Sequence, residues 1–485
     1  MKPVSRREAL LLGGIGAGSL LAGTAGLLST GLGSAPPSGG GAFVEPSVRA
    51  SADGELSMTL SAAEASAQVG GRRAAVWAYD GGLPGPTWRA RPGDRVQVAL
   101  RNDLAEPTNL HVHGLHVSPE GNSDNVFVTV DPGSTFHYEY RLPENHPPGV
   151  YWYHPHHHGM VANQVFAGLY GAIIVEDPTS VLVSRERVLV VSDITLDSAG
   201  RPADASAMER MLGREGATVL VNGQVAPRMV ARPGERERWR IVNACTARYL
   251  RLRLDGQRLQ LLGIDSGRLE QPSDVSEVRL APGNRADLLV TTRAGTSTLR
   301  TLPVNRGGMP GMMGASQPNQ DGANLGTITV SGASTPALAL VPAQPAPRDL
   351  RTMPVAAHRQ LIFAMGIGGG TAGMGGMSAM GGMSFTIDGR PFDPARIDTR
   401  VRTGTVEEWT LTNTSPMDHP IHLHVWPMQV MGIPGAPVWR DVVNVPARSS
   451  VRVRIPFEDF PGRTVYHCHI LDHEDAGMMA VIDAA

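Results

Sequence analysis

Apolar and polar residues alternate with period two over much of the chain, most plainly at Val96, Val98 and Leu100 in "PGDRVQVALRND". Successive side chains of an extended strand point to opposite faces, so this pattern predicts strands with one face buried. The same stretch recurs: "PGDRVQVALRND" begins at Pro92, "PGERERWRIVNA" at Pro233 and "TGTVEEWTLTNT" at Thr403. In each copy a turn glycine (Gly93, Gly234, Gly404) precedes an asparagine (Asn102, Asn243, Asn413) by nine positions. Gly- and Pro-rich turns separate the alternating runs, and no long, capped helical period interrupts them. The pattern predicts an all-β chain of three consecutive β-sandwiches. The expected boundaries are a leader and tether over 1–41, then units over 42–178, 179–335 and 336–485.

The outer copies carry histidine pairs in matching places. Nine residues after Asn102 stand His111 and His113, and nine after Asn413 stand His422 and His424; the same count from Asn243 gives Leu252 and Leu254. Five residues after Gly149 come His154 and His156, and five after Gly462 come His467 and His469, whereas Gly295 leads to Arg300 and Leu302. On a strand each His-x-His aims two imidazoles the same way, as a shared metal cluster requires. Cys468, between His467 and His469, then faces the opposite side and serves a different metal. Cys468, His473 and an earlier histidine, most naturally His419, make a His₂Cys set; Met478 or Met479 supplies a weak axial thioether. That set marks a blue-copper electron-transfer centre. His157 and His158 are expected to support or pack, and His116, His137, His146 and His358 to be ordinary histidines. Pro155 stands where the third copy has Cys468, so no second such centre is expected.

With "HVHG", "WYHPHHHG", "HPIHLH" and "HCHILDHEDAGM" in this order, the chain resembles the three-domain multicopper oxidases, the laccase and bacterial copper-oxidase family. The resemblance covers nearly all of the chain after the leader. It implies three cupredoxin-like Greek-key sandwiches and four copper ions. It places the type 1 copper on His419, Cys468, His473 and Met478, and the type 2 copper on His111 and His422. The type 3 pair falls to His113, His154, His156, His424, His467 and His469. It also implies O2 as the electron acceptor, with Glu474 and Asp124 as carboxylates that relay protons.

Composition narrows the partners. The 485 residues carry a formal net charge of −2, which gives no basic surface for nucleic acid. The first residues are basic and then apolar, an export leader; Ser5-Arg6-Arg7 resembles a twin-arginine signal, predicting a periplasmic or extracellular protein. No stable membrane insertion is expected once the leader is removed, and a monomer is expected because one chain holds both halves of the cluster. Cys245, the only other cysteine, is expected to be buried and unpaired. The segment "AMGIGGGTAGMGGMSAMGGMSF" sets Met365, Met374, Met377, Met380 and Met383 among glycines, and "GGMPGMMG" adds Met309, Met312 and Met313. Thioethers are soft ligands that favour Cu(I). The expected activity is therefore oxidation of Cu(I) to Cu(II) with laccase-like turnover of phenols. Asp418, beside His419, is a candidate for passing the electron inward. The alternatives are a general laccase and a non-catalytic copper-binding scaffold of the same fold.

Overall fold

The computed structural model describes residues 40–308, 322–367 and 383–485. Six sheets form three sandwiches in chain order. The alternation seen in the sequence is the burial pattern: Val96, Val98 and Leu100 are buried, while Arg95, Gln97 and Ala99 are half-exposed. In the first sandwich this strand belongs to a four-stranded sheet. Its apolar side packs on Val112, Tyr153 and Ile173 of a five-stranded sheet that also holds the His111–His113 and Gly149–His154 strands. The middle and third sandwiches repeat this with one six-stranded and one five-stranded sheet each. The third core includes Trp409, Ile421, Cys468 and Met478.

The repeated asparagine has the same task in all three copies. It ends its strand, accepts a hydrogen bond from the amide two residues on, and donates from Nδ2 to at least two carbonyls. Asn102 accepts from Leu104 and donates to Glu106 and Val130. Asn413 accepts from Ser415 and donates to Met417 and Val445. Asn243 accepts from Cys245 and donates to Leu280, but its local acceptor is Arg248, one residue further along than in the other copies.

That extra residue corrects the sequence expectation for the middle sandwich. In the outer sandwiches His111 lies opposite His154 and His422 opposite His467. The middle sandwich has Arg253 opposite Arg300 in the equivalent ladder. Leu252 and Leu254 point instead into the middle core. The residues standing where the outer copies hold histidines are thus Arg253 and Asp255, because a one-residue shift moves every side chain of a strand to the other face.

Among the described residues helices are few and short: Val161–Ala167, Ala207–Leu212 and Leu471–Asp475. Among the described residues none is long and apolar enough to cross a membrane. Cys245 and Cys468 are both free and buried.

Candidate metal centres

Eight imidazoles from the first and third sandwiches meet in one buried region, each 0–2% exposed. His113 stacks on His422 with ring centroids 3.8 Å apart, and His111 stacks on His424 at 3.9 Å. Each stack joins the two ends of the chain. His156 Nε2 and His424 Nε2 approach His467 Nε2 to 3.2 and 3.1 Å, the spacing of atoms gathered round a common ion. His469 closes the group, its ring 4.9 Å from that of His113 and 5.8 Å from that of His154.

Burial makes protonation unfavourable, and for most of these rings the neighbouring imidazoles add to it. The pKa of His467 falls to about 4, and those of His111, His113, His154, His422, His424 and His469 lie well below the usual histidine value. For His156 burial likewise dominates, and nearby Glu474 offsets it only in part, leaving a pKa of about 4. The rings are therefore neutral near pH 7, each with one free lone pair. Several ring nitrogens have no hydrogen-bond partner in the chain: His111 Nε2, His113 Nδ1, His154 Nε2, His422 Nε2, His424 Nδ1 and both nitrogens of His469. An unpaired buried polar atom costs about 1–3 kcal/mol, so a cluster of them without a ligand would be poorly stable. Neutral imidazoles converging on one another suit a borderline-soft metal such as copper.

On four of the rings the other nitrogen is held by the chain, which sets those tautomers. His111 Nδ1 lies 2.9 Å from Asp124 Oδ1, which also accepts the Val112 amide. Burial raises the Asp124 pKa to about 8 against that backbone bond. His154 Nδ1 donates to the Pro155 carbonyl, His467 Nδ1 to the Cys468 carbonyl and His422 Nδ1 to the Asp441 carbonyl. Glu474 places its carboxyl oxygens 3.0 Å from His467 Nδ1 and 3.4 Å from His156 Nε2, yet neither oxygen has a hydrogen-bond partner. Burial raises its pKa to about 7.

On the other face of the same strand lies a second group. Cys468 Sγ is 3.3 Å from His419 Nδ1 and 3.8 Å from His473 Nδ1, and those two nitrogens are 3.4 Å apart. The far nitrogens are engaged: His419 Nε2 by Ser415 Oγ at 2.6 Å, and His473 Nε2 by the Met211 carbonyl at 3.0 Å. Burial pushes the Cys468 thiol well above its ordinary pKa, so a cation must replace the proton before the thiolate forms. Met478 belongs to the apolar cluster around Cys468, whereas Met479 packs with Val126 and Val465 elsewhere. The two adjacent methionines thus point to opposite sides of the chain.

The sequence missed Ser415, the Met211 carbonyl, and Asp441 with its partner Arg285. None lies in a histidine motif, and Arg285 and Asp441 are 156 residues apart. Asp418, the sequence candidate for passing the electron inward, is buried beside His419 and held by three donors. Its carboxylate accepts from Asn444, the Ala447 amide and Arg279. His157 rests beside Thr129 and His158 against Phe392, outside both groups.

The methionine-rich segment is anchored next to the second group. Its flanking strands pair Met365 with Phe385 and Ile367 with Met383, and Phe385 stacks on His473 at 4.6 Å. Met365 and Met383 are half-buried against the core that holds Cys468. Gly307, at the start of the other methionine-rich stretch, bridges to Met417, two residues before His419. Met374, Met377, Met380, Met309, Met312 and Met313 lie outside the described residues.

Family models described as multicopper oxidase match residues 61–180, 185–333 and 372–485. The multicopper oxidase mco of Staphylococcus aureus is 27% identical over 420 residues, which is 83% of this chain and 83% of that protein. The laccase of Bacillus subtilis is 28% identical over 481 residues, covering 84% of this chain and 90% of its own. A solved multicopper oxidase from Campylobacter jejuni, described as a metallo-oxidase, superposes with a TM-score of 0.78 at 28% identity. That match covers 92% of this chain and 96% of the other.

Proposed function

The chain belongs to the multicopper oxidase family, and on that premise we propose that it oxidises Cu(I) to Cu(II) at the expense of O2, with phenols as further reductants. Four cuprous ions give one electron each, and O2 takes these four electrons with four protons to form two waters. His419, Cys468 and His473, with the Met478 thioether, would hold a type 1 copper. His111 and His422 would hold a type 2 copper, and His113, His154, His156, His424, His467 and His469 a type 3 pair. When bound, copper in these places supplies one-electron redox chemistry between the reductant and O2.

The observation that carries this reading is the two-faced strand ending at Cys468. Its sulfur meets His419 and His473 on one side, while His467 and His469 meet the histidine cluster on the other. Sulfur and imidazoles are therefore joined by a short run of covalent bonds, a direct path for single electrons. The same separation keeps the reductant away from partly reduced oxygen. Glu474, buried beside His467 and His156 with its oxygens unengaged, is the group to hold a proton for the cluster. Asp124 is already committed to His111 and Val112, so orienting His111 is its first task.

Cuprous specificity is favoured by where the methionine-rich segment is anchored: Phe385, at its exit, covers His473, and Met365 and Met383 flank the same core. A general laccase is the second reading, favoured by the equal likeness to the Bacillus enzyme. A scaffold that binds no metal would leave the unpartnered buried nitrogens without a purpose. The twin-arginine-like leader supports export, and a cluster gripped by both ends of one chain supports a monomer.

Copper-loaded protein is expected to show intense thiolate-to-copper absorption and to consume oxygen with Cu(I) and with a phenol. Absence of that absorption would remove the type 1 assignment. Deleting residues 366–382 is expected to cut Cu(I) oxidation while sparing or raising phenol turnover, and equal loss of both would end the cuprous reading.

A further inference from the structure

We propose that Asp441, clamped by Arg285 of the middle sandwich, is the positioning residue that decides which ring nitrogens His113 and His422 turn toward the cluster. The sandwich that supplies no ligand thereby takes part in building the metal site. The functional consequence of this inference rests on the copper reading above, but its geometry does not.

Asp441 serves one histidine from each outer sandwich by a different group. Its Oδ1 lies 3.3 Å from His113 Nε2, and its backbone carbonyl lies 2.8 Å from His422 Nδ1. An imidazole that donates from one nitrogen offers the lone pair of the other. His113 is therefore set to bind through Nδ1 and His422 through Nε2, and these two atoms are the buried, unpartnered ones. The rings are held face to face, 7° from parallel. A single residue thus fixes opposite tautomers on two stacked rings.

Arg285 holds Asp441 in turn. The guanidinium is fully buried, and its Nη1 and Nη2 donate to the two carboxylate oxygens at 2.5 and 2.6 Å. Its Nε donates to the Val150 carbonyl of the first sandwich, so this one side chain ties all three sandwiches together. Such a planar fork fixes a carboxylate in orientation as well as position. The glycine of "HVHG" follows from the same contact. Gly114 has φ +84, and a Cβ there would lie 2.5 Å from Arg285 Nη2 and 2.8 Å from Asp441 Oδ2.

The test uses the full chain in two states. In copper-free protein, long-range ¹⁵N–¹H correlations are expected to show His113 protonated at Nε2 and His422 at Nδ1. Asp441→Ala is expected to convert His113 to a mixture of tautomers. On loading, the same variant should lose about 10–100-fold in affinity for cluster copper, measured against a competing chelator, with type 1 absorption unchanged. Arg285→Lys keeps the charge, loses the fork and is expected to give a smaller loss in the same direction. The proposal is overturned if His113 keeps its tautomer in Asp441→Ala, or if cluster affinity stays within about twofold of the parent. It is also overturned if type 1 absorption and thermal midpoint fall in step with cluster copper, which marks a merely structural role. A parent protein that shows no thiolate absorption would sink the copper reading, while the tautomer measurement would still decide the positioning claim.

Discussion

The His422–His467 rung of the third sandwich and the Arg253–Arg300 rung of the middle one stand at the same place in equivalent sheets, with opposite outcomes. The histidine rung is fully buried against the first sandwich. The arginine rung is exposed, and Arg253 pairs with Asp255 at 3.0 Å. Both ladders are ordinary antiparallel pairings, so the strand does not make the site. What differs is the neighbour. A face covered by another sandwich keeps imidazoles neutral and leaves their lone pairs unanswered by water, whereas a face open to solvent accommodates charges that pair with one another. The middle sandwich acts at its borders instead, through Arg285 on Asp441 and the Met211 carbonyl on His473.

The largest expected effect breaks the buried side of this contrast. His422→Ala or His467→Ala is expected to lower cluster copper and bring oxygen consumption to background, measured by metal content and an oxygen electrode. Turnover retained in either variant would dissolve the comparison. Next comes Glu474→Gln, which keeps the shape and removes the titratable proton. Steady-state turnover should fall by about 10²–10⁴-fold while anaerobic bleaching of the type 1 band by reductant stays at the parental rate. If bleaching slows equally, Glu474 acts on electron entry rather than proton supply. The smallest effect concerns the exposed rung. Replacing Arg253 and Arg300 together by alanine is expected to change stability by less than about 1 kcal/mol, leaving copper content and turnover as they were. Changing both to histidine should create no new copper site, because among the described residues that face is exposed; added bound copper would show that the rung alone suffices.

The strands were readable because a half-buried strand writes its two faces into adjacent residues, as at Val96, Val98 and Leu100. For the same reason the separation of Cys468 from His467 and His469 was readable from alternation alone. Counting from Asn243 failed because a turn one residue longer leaves no clear mark in the sequence, yet it exchanges the faces of the following strand. The surroundings of Asp418 were hidden for a related reason. Its place beside His419 was visible, but the three donors that occupy its carboxylate come from distant segments. Asp441 and Arg285 gave no local signal, since an ordinary acid and an ordinary base acquire meaning only where they meet.

Residue chemistry and period, both properties of neighbours along the chain, were enough to determine the sandwiches, the metal-binding character of the histidine motifs and the two faces of the cysteine strand. Folding in three dimensions decided which nitrogen His111, His113, His154, His422 and His467 present, which of two adjacent methionines packs in the core that holds Cys468, and which carboxylates are spoken for. Those outcomes depend on hydrogen bonds and burial between residues far apart in sequence, and no local pattern encodes the partner at the other end.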